Sequence, residues 1–198
     1  MVQDDAPNIG QKQMMAPNAQ REHVLLVDEQ DREIGSMEKL AAHQNGGHLH
    51  RAFSILLFDA RHRWLLQRRA AGKYHFPGLW TNACCSHPRP GEILLEAAQR
   101  RLHEELGLQT PLTEIFSFTY TATSPREQLT EKEFDHVFFG RLPENAVCRP
   151  DSAEVGEVRF WTPEEIATAL QTPEGAAAFT PWFLLIWKQI QLHRKPLP

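Results

Sequence analysis

The chain has 198 residues, 41% of them hydrophobic, which is enough apolar material to close a sizeable core as a single domain. Its 21 basic and 25 acidic residues leave a formal charge of −4, so no general field draws it to nucleic acid or to a membrane surface, and a small-molecule partner is the expectation. Cys84, Cys85 and Cys148 are too few for a disulfide framework, no apolar run approaches the roughly 20 residues of a bilayer span, and Asp4 and Asp5 stand where a secretory signal would be apolar; a soluble, cytoplasmic protein is expected.

Residues 1–21, rich in Gln, Asn, Pro and Met, have neither helical nor strand periodicity and read as a loose tail ahead of one domain over 22–198. Apolar, β-branched runs bounded by turn residues predict strands over 24–27, 53–58 and 64–66. Over 92–106, Leu94, Leu95, Ala98, Leu102 and Leu106 recur at three- and four-residue intervals, predicting a helix with Arg100, Arg101, Glu104 and Glu105 on or beside its polar side and Gly107 as its stop. Further strands are predicted over 115–120, 134–142 and 155–161, then helices over 163–170, with Pro163 in its first turn, and over 181–192. The pattern is mixed α/β.

Chemistry concentrates between Thr81 and Gly107. Cys85 and His87 lie two residues apart, ahead of a helix whose last turn carries Glu104 and Glu105. Elsewhere the signals are weaker: His43 and His50 are a spaced pair among ten histidines, and Glu131 and Glu133 belong to a charged run of the kind that usually faces solvent. Spacing of two does turn both carboxylates to one side of an extended segment.

From Ser86 to Leu108 the register resembles the Nudix box, a loop-helix-loop of Gly, Glu and Arg-Glu-apolar-x-Glu-Glu-x-Gly that holds a metal against a diphosphate. Ser86 stands in place of the opening Gly, and Arg101 in place of the first helical Glu of the hydrolases. A guanidinium there can only bind anions, which argues against hydrolysis. Trp80-Thr81-Asn82-x-x-Cys85-x-His87-Pro88, with Ala41-Ala42-His43, Leu49-His50, Arg68-Arg69, Glu131-x-Glu133 and Phe179-Thr180-Pro181-Trp182, resembles the type I isopentenyl diphosphate isomerases over about 23–188.

That resemblance implies a Nudix-type α/β/α sandwich with a mixed sheet and added N-terminal strands. It implies a metal cage of His43, His50, His87, Glu131 and Glu133, whose nitrogen and oxygen donors suit Mn²⁺, Zn²⁺ or Mg²⁺. A second Mg²⁺ would join the diphosphate through Glu105, with Arg69, Lys73, Arg101, Lys39 and the backbone of Ser86 at the phosphates. Cys85 and Glu133 would exchange protons with an alkene, which of them gives and which takes being open, with Tyr120 tuning Glu133 and the Cys85 thiolate favoured by the metal and the helix start. Trp182 would face the carbocation. His48, His62, His75, His103, His136 and His193 have no part in this reading, nor do Cys84 and Cys148. A prenyl diphosphate is the implied partner, and a monomer or weak homodimer the expected state. A Nudix pyrophosphohydrolase, or an inactive Nudix domain that only binds, are the competing readings; the second predicts gaps in the site, and none is present.

Overall fold

The computed structural model describes residues 23–193, so the tail expected over 1–21 lies outside the described residues. The elements run β1 (His23–Val27), β2 (Glu33–Glu38), α1 (Lys39–His43), β3 (His50–Phe58), β4 (Trp64–Arg69), β5 (Trp80–Thr81), β6 (Cys84–Ser86), α2 (Leu94–Leu106), β7 (Leu112–Ser124), β8 (Leu129–Arg141), β9 (Val155–Trp161), α3 (Pro163–Ala169), α4 (Pro173–Ala176) and α5 (Pro181–His193).

The sheet is organised by β3. From Phe53 to Phe58 its residues are apolar at nearly every position and all buried, as a strand covered on both faces must be. One edge pairs in parallel with β8, from His50↔Glu133 to Phe58↔Arg141. The other takes β6, through Ser54↔Cys85 and its neighbours, and then β4 at Leu57↔Leu65. Antiparallel β7 lengthens the sheet beyond β8, β9 pairs antiparallel with β4, and β1 meets β3 at Leu26↔His50, so the sheet is mixed.

Alternation on β3 feeds two helical layers. Phe53, Ile55 and Leu57 pack with Ala97, Ala98, Leu102 and Leu106 of α2. Leu56 and Phe58 pack the other way, with Ile166 of α3 and Phe183 and Ile186 of α5. Burying each such Leu, Ile or Phe contributes about 1.5–3 kcal/mol. An exposed pair such as Arg32–Asp28 is worth about 0–1 kcal/mol. The apolar faces therefore hold the α/β/α sandwich together as one domain.

Two expectations for α2 are corrected. It starts at Leu94, not Glu92; Glu92 instead accepts from Arg100 Nε and Nη2 (2.6 and 2.8 Å) and from the Arg89 backbone N–H. Its inward stripe is Ala97, Ala98, Leu102, Glu105 and Leu106; Leu95 is exposed, and Glu105, three residues past Leu102, is carried inside rather than onto the polar side. Gly107 ends the helix in the left-handed region (φ 65°), its N–H donating to His103 O at 2.8 Å, as its sequence position predicts. The predicted strands 115–120 and 134–142 are parts of a hairpin with 13-residue arms, β7 and β8, which takes in Glu131 and Glu133.

Candidate active site

The register of β7, β8 and β3 sets three functional side chains in one row. Glu133 lies opposite His50 on one side and Tyr120 on the other. Directly opposed residues share a face, so His50 and Tyr120 both reach Glu133. Glu131, two residues earlier, lies on that same face.

His43 arrives on α1, whose first turn is capped by the Glu38 carboxylate accepting from Leu40 N and Ala41 N (3.1 and 2.9 Å). The loop from α1 to β3 is pressed against β8 at Gly47. This residue has φ 75°, and a Cβ there would sit 2.8 Å from Thr130 O, so only glycine lets the loop approach beside Glu131. His87 follows β6. The ligand atoms of His43, His50, His87, Glu131 and Glu133 all lie within 4.8 Å of one another.

These donors fit a metal ion. His43 Nδ1 donates to Lys39 O at 2.5 Å and His50 Nδ1 to His48 O at 2.8 Å, which fixes the tautomers and leaves bare Nε2 lone pairs turned to the cluster. His43 Nε2 and Glu131 Oε2 are 2.8 Å apart and neither makes a hydrogen bond, two buried electron-rich atoms that call for a cation between them. Burial pushes His87 down to about 3, keeping the neutral form a metal needs. Burial also opposes a charge on His43, but the Glu131 carboxylate outweighs it and raises its pKa. At Glu131, burial is overcome by His75 and His43, which hold its carboxyl well below the usual range. Glu133 is lowered as well, burial and the repulsion of Glu131 being exceeded by the His50 and His87 imidazoles beside it.

Tyr120 donates its hydroxyl to Glu133 Oε2 at 2.5 Å, and His87 Nε2 meets Glu133 Oε1 at 2.9 Å. Burial and Glu133 push the phenol well above its ordinary pKa, so it stays a donor. Below them Asp135 accepts from Ser54 Oγ at 2.8 Å, and burial with the Glu133 charge raises its carboxyl well above the usual range.

Cys85 sits in β6 opposite Ser54, in a small network that explains the Thr81-Asn82 pair ahead of it. Asn82 Nδ2 donates to Cys84 O (2.7 Å), aiming Oδ1 to accept from Cys85 Sγ (3.1 Å) and Thr81 Oγ1 (3.0 Å). Trp182 Nε1 donates to the sulfur at 3.1 Å. Burial dominates, and pushes the thiol up to about 12 despite the Thr81 and Trp182 hydrogen bonds. The expected closeness to the helix start is corrected: Cys85 lies in β6, and α2 begins only at Leu94. The indole of Trp182 already has a cation on it, with Arg69 Cζ 5.4 Å from the ring centroid.

Lys39, Arg69, Lys73, Ser86 and Arg101 line one cleft with Cys85, His87, Tyr120, Glu131, Glu133 and Trp182, so segments far apart in sequence converge. Arg69 donates to Phe76 O and His75 O (3.2 and 3.1 Å). Arg101 donates to Glu104, Glu105 and Glu154 (2.8, 2.6 and 3.2 Å), and Lys73 pairs with Glu154. Glu105 itself stands behind Arg101, held by Gln67 Nε2 at 3.0 Å, and does not line the cleft.

Sequence reasoning passed over four of these groups. His75 is no bystander: it is buried with Nε2 against Glu131 Oε1. Its only signal was its place two residues after Lys73. Asn82 was quoted in a motif without a role, and Gln67 and Glu154 carried no signal, being set beside Glu105 and Arg101 only by the fold. His136 is also buried, between Asp31 and Glu114, away from the cleft. Cys84 is a buried apolar filler as expected, and Cys148 packs half-buried against the α2 core.

The NUDIX domain family matches residues 48–183. An isopentenyl-diphosphate Delta-isomerase of Streptomyces griseus is 51% identical over 162 residues, covering 81% of this chain and 79% of that protein. One from Halorhodospira halophila is 46% identical over 162 residues, covering 82% and 91%. Among solved structures, a Deinococcus radiodurans protein superposes with a TM-score of 0.67 at 20% identity, over 88% of this chain and 100% of that one, a likeness of fold alone. With identity of this order across most of both partners, the chain belongs to the isopentenyl-diphosphate Delta-isomerase family, within the NUDIX superfamily.

Proposed function

We propose that the protein interconverts isopentenyl diphosphate and dimethylallyl diphosphate by adding a proton to one carbon of the alkene and removing one from another. The observation that carries this is the pairing, in one cleft, of the Cys85 thiol, held by Asn82 and Trp182, with the Glu133 carboxylate, which accepts from Tyr120. One group holds the proton and the other lacks it, the starting condition for a double-bond shift that consumes no reagent. An unactivated alkene is a poor base, so both groups must be close and dry; Tyr120 and Trp182 are buried, and Cys85 is held by Asn82 and Trp182.

In this reading His43, His50, His87, Glu131 and Glu133 would hold Mn²⁺, Zn²⁺ or Mg²⁺, and the ion's charge would make a proton carried by Glu133 more acidic. Arg69, Lys73 and Arg101, with Lys39 and the backbone of Ser86, take the diphosphate, and Glu105, behind Arg101 at 2.6 Å, would hold a Mg²⁺ that accompanies the diphosphate only where Arg101 turns from Glu105 to the phosphates. Trp182 faces the tertiary cation without offering it a nucleophile. The protein acts in the cytoplasm as a monomer or weak homodimer; among the described residues no helix is long and apolar enough to cross a membrane.

An NMR time course with isopentenyl diphosphate and Mg²⁺ in D₂O, run beside Cys85→Ala, tests this. Dimethylallyl diphosphate carrying deuterium, absent with the variant, is the expected outcome. Release of phosphate would point instead to a hydrolase, and metal-dependent binding without turnover to a binding module.

A further inference from the structure

His75 lies outside the five-residue cage, yet it touches the cage and the diphosphate side at once. Its Nε2 meets Glu131 Oε1, while the other oxygen of that carboxylate, Oε2, is turned to His43 Nε2 at 2.8 Å. A carboxylate oxygen only accepts, so the hydrogen between these two atoms comes from His75 Nε2. Through its backbone the same residue accepts from Arg69 Nη2 at 3.1 Å, and the next carbonyl, Phe76 O, accepts from Arg69 Nε at 3.2 Å. Arg69 Nη2 is 3.5 Å from His75 Nε2, too long to compete for that atom.

The ring is fixed from several sides, 4.4 Å from Tyr74, 5.9 Å from Phe76 and 5.6 Å from His43 between centroids. A carboxylate with one oxygen tied in this way keeps the other aimed, which is how groups behind a metal's ligands set its affinity.

We infer that His75 is a positioning residue that holds Glu131 Oε1 so that Oε2 points into the metal cage, and that through its backbone carbonyl it ties that cage to the Arg69 guanidinium. This rests on the cage assignment made above. It adds to that assignment a residue whose side chain governs metal affinity and whose main chain serves the diphosphate side, two roles that side-chain substitution separates.

The test is Mn²⁺ binding by the full chain, followed as loss of the free-ion EPR signal, for wild type, His75→Phe, His75→Gln and Glu131→Gln. Phe keeps the packed ring and removes the donor; the Gln Nε2 can restore it. His75→Phe is expected to weaken Mn²⁺ binding about 10–100-fold, with His75→Gln within about threefold of wild type. At saturating Mn²⁺, KM for isopentenyl diphosphate stays within about twofold, since the carbonyl to Arg69 is retained. Wild-type affinity in His75→Phe, or no recovery in His75→Gln, overturns the role of the imidazole. A wild type that takes no Mn²⁺, or Mn²⁺ binding untouched by Glu131→Gln, overturns the cage assignment and this inference with it.

Discussion

Replacing Tyr120 by Phe removes one atom from the site and nothing from the packing. The ring is buried, stacked on Phe118 with centroids 5.7 Å apart and 6.5 Å from Trp182, and Phe fills the same space. What is lost is the hydroxyl that Glu133 Oε2 accepts at 2.5 Å. A hydrogen bond to a charged, buried partner is worth about 1.5–3 kcal/mol. At 1.36 kcal/mol per decade, its loss from the reacting state slows turnover by about 10–150-fold. The fall belongs in kcat, because Lys73 and Arg101 meet Glu154 and Glu105 rather than Tyr120. Isopentenyl diphosphate consumption under saturating metal separates kcat from KM, and a urea melt checks that the fold is intact. A kcat within about twofold of wild type, or a loss confined to KM, would refute the role given to this hydroxyl.

Arg101→Glu would set a fourth carboxylate among Glu104, Glu105 and Glu154, and is expected to raise KM for the diphosphate without creating hydrolysis; a phosphate-release assay showing new turnover would contradict this. For Glu154, Lys73 and Arg101 outweigh burial and hold the carboxyl at about 2, below the ordinary glutamate value of 4.5. A depressed pKa stabilises the fold above the unfolded value and stops doing so as pH falls through the folded one, so the gap in unfolding free energy between wild type and Glu154→Gln should close between pH 4.5 and about 2. A gap that does not change with pH would show that the carboxylate charge is not what matters. Trp182→Phe keeps an aromatic face and should retain partial activity, whereas Trp182→Ala should lose most of it; equal rates would remove the cation–π contribution.

Much of this site was readable before any fold was known, for reasons that differ from residue to residue. Cys85, His87 and the α2 cluster lie close together in sequence, and Gly107 announces its left-handed stop. Glu131 and Glu133 are separated by two, which matters only once they lie on a strand, and β8 supplies that. His75 was invisible because its partner Glu131 is 56 positions later (131 − 75), met only when β8 pairs with β3. The closeness of Cys85 to a helix start was misjudged because Glu92, which the spacing made the first helical residue, is held by Arg100 and Arg89 while α2 begins at Leu94. Glu105 was placed on the wrong side of α2 because its charge argued for solvent while its position, three past Leu102, carried it inward to Gln67 and Arg101.

The parallel pairing of β3 with β8 gives this chemistry a bearing on how the chain reaches its native state. Side chains alternate along a strand, so a slip of one position would set Arg51, not His50, across from Glu133 and turn one set of ligands to the opposite face. A misaligned sheet would still bury apolar side chains, but it would have no cage. An ion therefore favours only the aligned sheet, by about 2.7 kcal/mol when its free concentration is 100 times the dissociation constant. Pairings between strands so distant in sequence form slowly, and an ion bound at the cage would reward the aligned pairing over the slipped one.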